Sequence, residues 1–310
     1  MGGGGGGMFG NHSPEELRKE IKESFEKTKN NAIETEINTR ISEILSEYND
    51  RDSEAIQEHL NEIKEVIKED IDGTIDLKFG GSVSKHTYVD GLSDVDTLIT
   101  IDKSELADLS PQEVLNYIKS KLEGNLTNLD SIKVGKLAVT MTFSDNAEIQ
   151  ILPAIKYYSG FKIPKSNGND WSDIIHPQKF AEKLTSVNKK FNGNVVPVIK
   201  LVKGIISQLP KDQQLKSYHI ESIAIEAFKN YSDSATPKAL LKHFFNEGRH
   251  IVKTPIEDST GQSINVDTYL GPKNSNKRSN ISYTLNRIYM KMENADRMGS
   301  IPEWSKILGE

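Results

Sequence analysis

The chain has 310 residues, enough to bury a sizeable core in one large domain or in two closely packed ones. Its 39 basic and 45 acidic residues leave a net charge of −6, which argues against a stable nucleic-acid partner. Cysteine is absent, which excludes disulfides and thiolate zinc sites and agrees with a cytoplasmic location. No apolar run is long enough to span a membrane, so we expect no membrane partner.

The N-terminal part of the chain predicts a tail and two helices. Residues 1–12 are rich in glycine and lack the apolar core of a signal peptide, so we expect a flexible tail. Ser13 and Pro14 are typical of a helix start, and the apolar spacing that follows predicts one long amphipathic helix as far as Tyr48. A second helix is predicted next, with an inward face formed by Ile56, Leu60, Ile63 and Ile67.

The following segment alternates between strands, turns and one helix. A short strand is predicted from Ile75 to Phe79, directly before Gly80-Gly81-Ser82, and a longer one from Asp94 to Ile101. The helix that comes next has an apolar face formed by Val114, Leu115, Ile118 and Leu122. Each strand therefore leads into or out of a segment rich in polar residues.

A hairpin is predicted after that helix. Its strands run from Leu137 to Phe143 and from Glu148 to Leu152, and Ser144-Asp145-Asn146 form the turn. Pro153 is expected to end the second strand, because proline has no N–H to donate to a sheet.

From about residue 176 the pattern becomes helical. The predicted helices carry Phe180, Leu184 and Val187, then Val198 to Leu209, Tyr218 to Phe228, Ala239 to Phe245, and Ile281 to Met292. The segment 254–280 is polar and is expected to be rich in loops. A first half with strands and a helical second half predict two lobes with a cleft between them.

Two carboxylates after a glycine-rich turn carry the chemistry. Asp94 and Asp96 are at positions i and i+2 of a predicted strand, so their side chains point to one face. They repel each other unless a cation lies between them, and oxygen ligands suit Mg²⁺ or Mn²⁺. Gly80, Gly81 and Ser82 form a turn whose backbone and hydroxyl can approach a phosphate. Together these features predict a nucleotidyl-transfer enzyme that acts on nucleoside triphosphates.

These residues also carry a family resemblance. The pattern is Gly81-Ser82, Lys85, Thr87, Gly91 and Ser93-Asp94-Val95-Asp96. It resembles the signature of the polymerase-β-like nucleotidyltransferases and, more narrowly, that of the bacterial cGAS-like cyclic-oligonucleotide synthases (CD-NTases) of CBASS anti-phage systems. The resemblance implies an α+β fold with a mixed sheet, a helical second lobe and a long N-terminal helix that spans both. We place the nucleotidyltransferase core with its N-terminal helix at 13–170 and the helical lobe at 171–310.

The family uses three carboxylates to hold two Mg²⁺ ions, and the third is less clear in this chain. The segment 147–154 resembles the family strand that supplies it, but Gln150 stands at the usual acid position. Glu148 is two residues earlier and therefore on the same face. Glutamate is one methylene longer than aspartate, so we predict Glu148 as the third ligand beside Asp94 and Asp96. If this assignment is wrong, the site binds metal more weakly or is impaired.

The resemblance also assigns a nucleotide-binding set. In the first lobe it comprises Gly81, Ser82, Lys85 and Thr87, and in the second lobe it comprises Lys203, Ser217 and Tyr218. Lys203 is placed on the triphosphate with Ser217 beside it, and Tyr218 either stacks on a base or fills the lobe interface. The alternative for Lys203 is an ordinary solvated helix face.

Neighbouring polar residues are given structural interpretations. His219 is interpreted as a hydrogen-bonded packing residue, and Glu221 as a structural one. The segments 266–271 and 274–278 resemble part of some trinucleotide-making relatives. They are interpreted as an ordinary surface loop, with a positively charged loop by the cleft as the alternative.

The predicted function is Mg²⁺-dependent condensation of nucleoside triphosphates, ATP among them, into a cyclic di- or trinucleotide second messenger for anti-phage defence. A regulatory CBASS protein is the implied partner. One alternative is a template-independent RNA-tailing or CCA-adding enzyme, although the net acidity disfavours it. Another is a catalytically weak nucleotide-binding homologue, since Gln150 replaces the usual acid.

Overall fold

A computed structural model describes most of the chain. The described residues are 14–49, 53–68, 74–79, 95–102, 105–158, 160–165, 167–261 and 263–310. The glycine-rich tail predicted at 1–12 lies outside them.

Helices dominate the two ends of the described chain. The α-helices are α1 (Pro14–Asn49), α2 (Ser53–Lys68), α3 (Pro111–Leu122), α4 (Pro177–Lys190), α5 (Val195–Ser207), α6 (Ser217–Phe228), α7 (Pro237–Ile251), α8 (Asn276–Met298) and α9 (Ile301–Leu308). The long first helix and the second helix agree with the predicted ones. None of the described helices combines the length and the apolar character that a membrane span requires.

Six strands of the described chain form one mixed sheet. They are β1 (Thr74–Phe79), β2 (Val95–Asp102), β3 (Leu129–Val134), β4 (Val139–Phe143), β5 (Glu148–Tyr157) and β6 (Gly160–Lys162). Their order is β1-β2-β5-β4-β3, and β6 pairs with the far end of β5. The β2–β5 pair is parallel and the other pairs are antiparallel. The predicted hairpin is thus confirmed as β4 and β5.

The prediction that Pro153 ends the second hairpin strand is wrong, because β5 continues to Tyr157. On one side of β5 the pairing with β4 stops at Ile151, and the pairing with β6 starts at Ile155. Pro153 occupies the gap between these neighbours. Proline brings no N–H group to this buried position, so the strand continues through it where one side of β5 has no strand neighbour.

The sheet lobe, which we define as α2 to β6, has its own hydrophobic core. Leu60, Ile63 and Ile67 of α2 and the apolar face of α3 pack on one side of the sheet. The stacked rings of His59 and Phe143, 3.8 Å apart, extend this contact to the hairpin. Asp145 in the predicted turn bonds the same histidine at 2.9 Å, so the turn is tied to α2.

The helical lobe, which we define as α1 with α4 to α9, has the second core. Ile37, Ile41 and Ile44 of α1 are buried in it together with apolar residues of α4 to α9. Lys238 of α7 links α1 to α8 through contacts of 2.7 Å with Glu34 and 2.8 Å with Asp296. The described core residues of α1 therefore pack in the helical lobe. The predicted boundary near residue 170 stays a prediction.

Candidate functional site

Two central parallel strands position the acidic candidates. In the β2–β5 register, Val95 is opposite Ile149 and Asp96 is opposite Gln150. On the other side of β5, Thr140 is opposite Gln150 and Thr142 is opposite Glu148. The backbone of Asp96 therefore lies beside the strand segment that was expected to supply the third carboxylate.

Glu148 and Gln150 share one face of β5 and contact each other. The Gln150 amide Nε2 donates to Glu148 Oε1 at 3.4 Å. Glu148 is exposed at the start of the strand, whereas Gln150 is half-buried. The amide of Gln150 thus orients an accessible carboxylate, and both side chains offer oxygen donors of the kind that Mg²⁺ prefers.

Several of the predicted site residues belong to parts of the chain that the structure does not describe. Asp94 and the whole of the phosphate-binding turn, Gly81, Ser82, Lys85 and Thr87, lie outside the described residues, as does the side chain of Asp96. The predicted three-carboxylate metal centre therefore stays a prediction.

Lys203, the predicted triphosphate ligand in the second lobe, is a buried residue of α5. Its Nζ is 3.0 Å from Oε1 of Glu221 on α6, and the two side chains are 3% and 1% exposed. The solvated-face alternative for Lys203 is therefore wrong. Glu221 holds the ammonium group at the junction of α5 and α6, which agrees with its structural interpretation. Lys200, one turn earlier, is half-buried, and burial lowers the pKa of its amine.

Ser217 and Tyr218 form the first residues of α6, and both are half-buried. The Tyr218 hydroxyl donates to Asp258 Oδ1 at 2.9 Å, and its ring lies 4.5 Å from the ring of Phe180. Burial, followed by the charge of Asp258, raises the pKa of Tyr218 far above its usual range. Tyr218 is therefore a neutral hydrogen-bond donor with a fixed ring.

His219 is buried in a polar cluster. Its Nδ1 is 2.9 Å from the Tyr269 hydroxyl, and its Nε2 is 3.4 Å from Asp267 Oδ2. Burial lowers the pKa of His219 to about 4, an effect that the nearby Asp267 opposes and Arg278 reinforces. The imidazole is therefore neutral near pH 7, and its interpretation as a hydrogen-bonded packing residue is confirmed.

The interpretation of 266–271 and 274–278 as an ordinary surface loop is wrong at its two charged anchors. Asp267 and Arg278 are fully buried, and the guanidinium Nη1 lies 2.7 Å from Asp267 Oδ2. Arg278 also donates to the carbonyls of Val252 and Gly271. The sequence held one signal of this, since Arg278 shares a helix face with the apolar residues Ile281 and Leu285.

Sequence reasoning gave no role to Asp258 or Tyr269, which contact the start of α6. Tyr269 accepts a hydrogen bond at 3.2 Å from the backbone N–H of Lys216, the residue before α6. Both side chains lie forty residues or more after their partners in the chain. Nothing in the local pattern of either segment indicates that they meet.

The mixed sheet with its parallel β2–β5 pair, together with the helical lobe, defines the polymerase-β-like nucleotidyltransferase class of fold. Residues 32–188, about half of the chain, match the family described as the Second Messenger Oligonucleotide or Dinucleotide Synthetase domain. The chain belongs to this family. The predicted fold class, family and enzyme class are thereby confirmed.

Relatives support the same assignment. The chain is 26% identical over 159 residues to a probable cyclic nucleotide synthase of Bacillus cereus (strain VD146), an alignment that covers 49% of this chain and 46% of that protein. The alignment thus spans less than half the length of this curated relative.

Solved structures show the same fold over most of the chain. The E. coli MS115-1 CdnC structure with ATP has a TM-score of 0.67 at 16% identity, covering 89% of this chain and 97% of that one. CdnC in its HORMA-deltaN complex has a TM-score of 0.65 at 17% identity, covering 89% and 96%.

Proposed function

We propose that this protein is an Mg²⁺-dependent nucleotidyltransferase that condenses nucleoside triphosphates, ATP among them, into a cyclic di- or trinucleotide second messenger for anti-phage defence. Family membership supports the class of product. The observation that carries the proposal is the parallel β2–β5 pair, which sets Asp96 beside Gln150 and leaves the Glu148 carboxylate exposed.

In this proposal Asp94, Asp96 and Glu148 hold two Mg²⁺ ions, with Mn²⁺ as the substitute. When bound, such ions lower the pKa of an attacking ribose hydroxyl and neutralise charge on the triphosphate. The Gln150 amide donates to Glu148 Oε1 at 3.4 Å, which favours one orientation of the carboxylate.

The remaining residues bind and orient the nucleotide. In the sheet lobe the phosphate-binding set is Gly81, Ser82, Lys85 and Thr87. In the helical lobe Lys203 is the residue assigned to the triphosphate, and Glu221 holds its ammonium group at the helix junction at 3.0 Å. Ser217 and Tyr218, at the start of α6, supply a hydroxyl and a ring for the phosphates and the base.

A second candidate function is nucleotide binding with weak catalysis. The residue opposite Asp96 in the strand register is Gln150, a neutral amide, rather than an acid. A neutral ligand stabilises a divalent cation less than a carboxylate does, so a site built on Gln150 would bind metal weakly.

A product assay tests the proposal. We would incubate the purified protein with the four labelled nucleoside triphosphates and Mg²⁺ and analyse the products by liquid chromatography and mass spectrometry. A phosphatase-resistant cyclic product supports the proposal. Extension of added RNA would favour an RNA-tailing enzyme, and bound triphosphate without product would favour the weak homologue. Asp96→Asn should abolish product with the fold intact, and persistent synthesis would remove Asp96 from the mechanism.

A partner and a location follow from the same proposal. The CdnC relative was solved in complex with HORMA-deltaN, which supports a regulatory protein partner of the same defence system for this chain. Nucleoside triphosphates are cytoplasmic metabolites, so we place the activity in the cytoplasm.

A further inference from the structure

The segment between α7 and α8 crosses the start of α6. We name residues 254–275 the strap. Its described part folds back on itself through a bridge between Glu257 and Asn265 and a backbone bond of 3.0 Å from Val266 N to Ile256 O. The strap also accepts a hydrogen bond at 2.8 Å from His176 N to Thr260 O, just before α4. It therefore contacts both α6 and the segment that enters the helical lobe.

Asp258 is the polar centre of the strap. Its Oδ1 accepts from Tyr218 Oη at 2.9 Å, from Thr260 N at 2.9 Å and from Thr260 Oγ1 at 2.7 Å. Its Oδ2 accepts from Ser263 N at 3.2 Å and Ser263 Oγ at 2.9 Å. Burial opposes ionisation of Asp258, but these hydrogen bonds outweigh it and lower its pKa. The result is a buried, charged and rigidly held acceptor.

Two contacts restrain the Tyr218 side chain. The ring of Phe180 packs 4.5 Å from the Tyr218 ring, and Asp258 holds the hydroxyl at the far end. A tyrosine has two side-chain torsions, so a packing contact together with a bond to the hydroxyl leaves little freedom. A hydrogen bond to a charged acceptor is stronger than one to a neutral group.

We propose that Asp258 is a positioning residue that fixes the Tyr218 ring for the nucleotide base and so sets nucleotide affinity. This inference rests on the proposed function, which assigns Tyr218 to the nucleotide. Asp258 acts through Tyr218 and has no contact with the substrate in this assignment. If the strap only stabilised the fold, replacing Asp258 would lower the fraction of folded protein but would leave the nucleotide affinity of the folded protein unchanged.

A double-mutant cycle on nucleotide binding tests the inference. The measured quantity is the Kd of a non-hydrolysable ATP analogue for the full chain with Mg²⁺. Asp258→Ala and Tyr218→Phe should each weaken binding about tenfold, the effect of losing one hydrogen bond to a charged group. The double variant should be no weaker than the weaker single variant, because both changes break the same bond.

Two further variants serve as a control and as a conservative substitution. Ser263→Ala removes the hydroxyl donor to Asp258 Oδ2, keeps the backbone N–H donor and does not touch Tyr218, so it should change Kd less than about twofold. Asp258→Asn keeps an acceptor oxygen for Tyr218 but not the charge, so it should weaken binding less than Asp258→Ala does, by about threefold. If Asp258→Ala fails to unfold cooperatively, Asp258→Asn replaces it, and an unchanged Kd in folded Asp258→Asn would then overturn the positioning role.

The outcomes separate the two proposals. The positioning role would be overturned if the affinity losses of the two single variants multiplied in the double variant, or if folded Asp258→Ala had an unchanged Kd. In either case, product formation by the wild type would still uphold the proposed function. Coupled effects on Kd without any cyclic product would uphold the positioning role and overturn the proposed reaction. A wild-type protein that binds no nucleotide would overturn both.

Discussion

The acidic site of the sheet and the start of α6 hold their charges in opposite ways. Glu148 is exposed and is oriented by a neutral amide, whereas Lys203 is buried against Glu221, and Asp267 is buried against Arg278. Substitution of an exposed carboxylate costs little folding stability, whereas a buried charge that loses its partner destabilises the fold. Variants on the sheet should therefore report on chemistry alone, and variants at the helix junction should report on chemistry and stability together.

The largest expected effect is at the buried Lys203–Glu221 pair. Lys203→Met leaves the Glu221 carboxylate buried without this partner, which should lower the free energy of unfolding by about 3–5 kcal/mol. Adding Glu221→Leu removes this buried charge and should restore much of the stability, while nucleotide binding stays lost. Denaturant unfolding and nucleotide titration measure the two quantities. Wild-type stability in Lys203→Met would show that the pair does not support the fold.

The second-largest effect is expected at Glu148, the exposed carboxylate of the sheet. Glu148→Gln should lower the rate of product formation by about a hundredfold, because a metal ligand supplies several kcal/mol of charge stabilisation in the transition state. Its melting temperature should stay within about 1 °C of the wild type, since the side chain is exposed. Gln150→Glu, placed in the Glu148→Gln background, tests which position serves the metal. Full activity in Glu148→Gln alone would shift the third ligand away from Glu148.

Acidification should weaken the helix junction through His219. Its pKa falls from the ordinary 6.5 to about 4 because it is buried, so between these values the unfolded chain binds more protons than the folded one. Stability should therefore fall by about 2 kcal/mol from pH 7 to pH 5 through this residue. Denaturant unfolding at several pH values, compared with His219→Gln, isolates the contribution. The exposed His250→Gln is the control, and an identical pH slope in His219→Gln would contradict the prediction.

The smallest effect should come from a helix cap in the sheet lobe. Ser110 and Glu113 form a capping box at the start of α3, in which Ser110 N donates to Glu113 Oε2 at 2.9 Å. Ser110→Ala should cost about 1 kcal/mol of stability. Nucleotide affinity should not change, because the cap is exposed and holds no buried charge. If the nucleotide Kd of this variant did change, the expectation that stability changes in the sheet lobe leave nucleotide affinity unaffected would be wrong.

Periodic and local signals were enough to predict most of the helices that supply the two cores. The inward faces of α2 and α3 have their apolar residues at helical spacing, and the hairpin has polar turn residues between alternating strands. The strand β3 was missed because its half-buried and exposed residues do not alternate. The last helix, α9, was missed although Ser300, Pro302 and Glu303 are typical of a helix start.

The candidate site was less predictable than the fold. Asp94 and Asp96 were found from their spacing and neighbours, which are local properties. The partners of Lys203, Tyr218 and His219 come from distant segments, and nothing in a single sequence indicates which segments meet. Pro153 shows the same limit, since whether proline ends a strand depends on where the neighbouring strands stop.

The burial of α1 among the last helices has a consequence for folding during synthesis. Ile37 and Ile41 need α5 to α9 to complete their core, and Arg40 reaches Glu310, at the end of the chain, at 3.3 Å. The sheet lobe, in contrast, is continuous in sequence and can close its core as soon as β5 has left the ribosome. We therefore expect α1 to keep an uncovered apolar stripe until α9 has been synthesised, and the late docking of these distant segments to limit the rate at which the helical lobe folds.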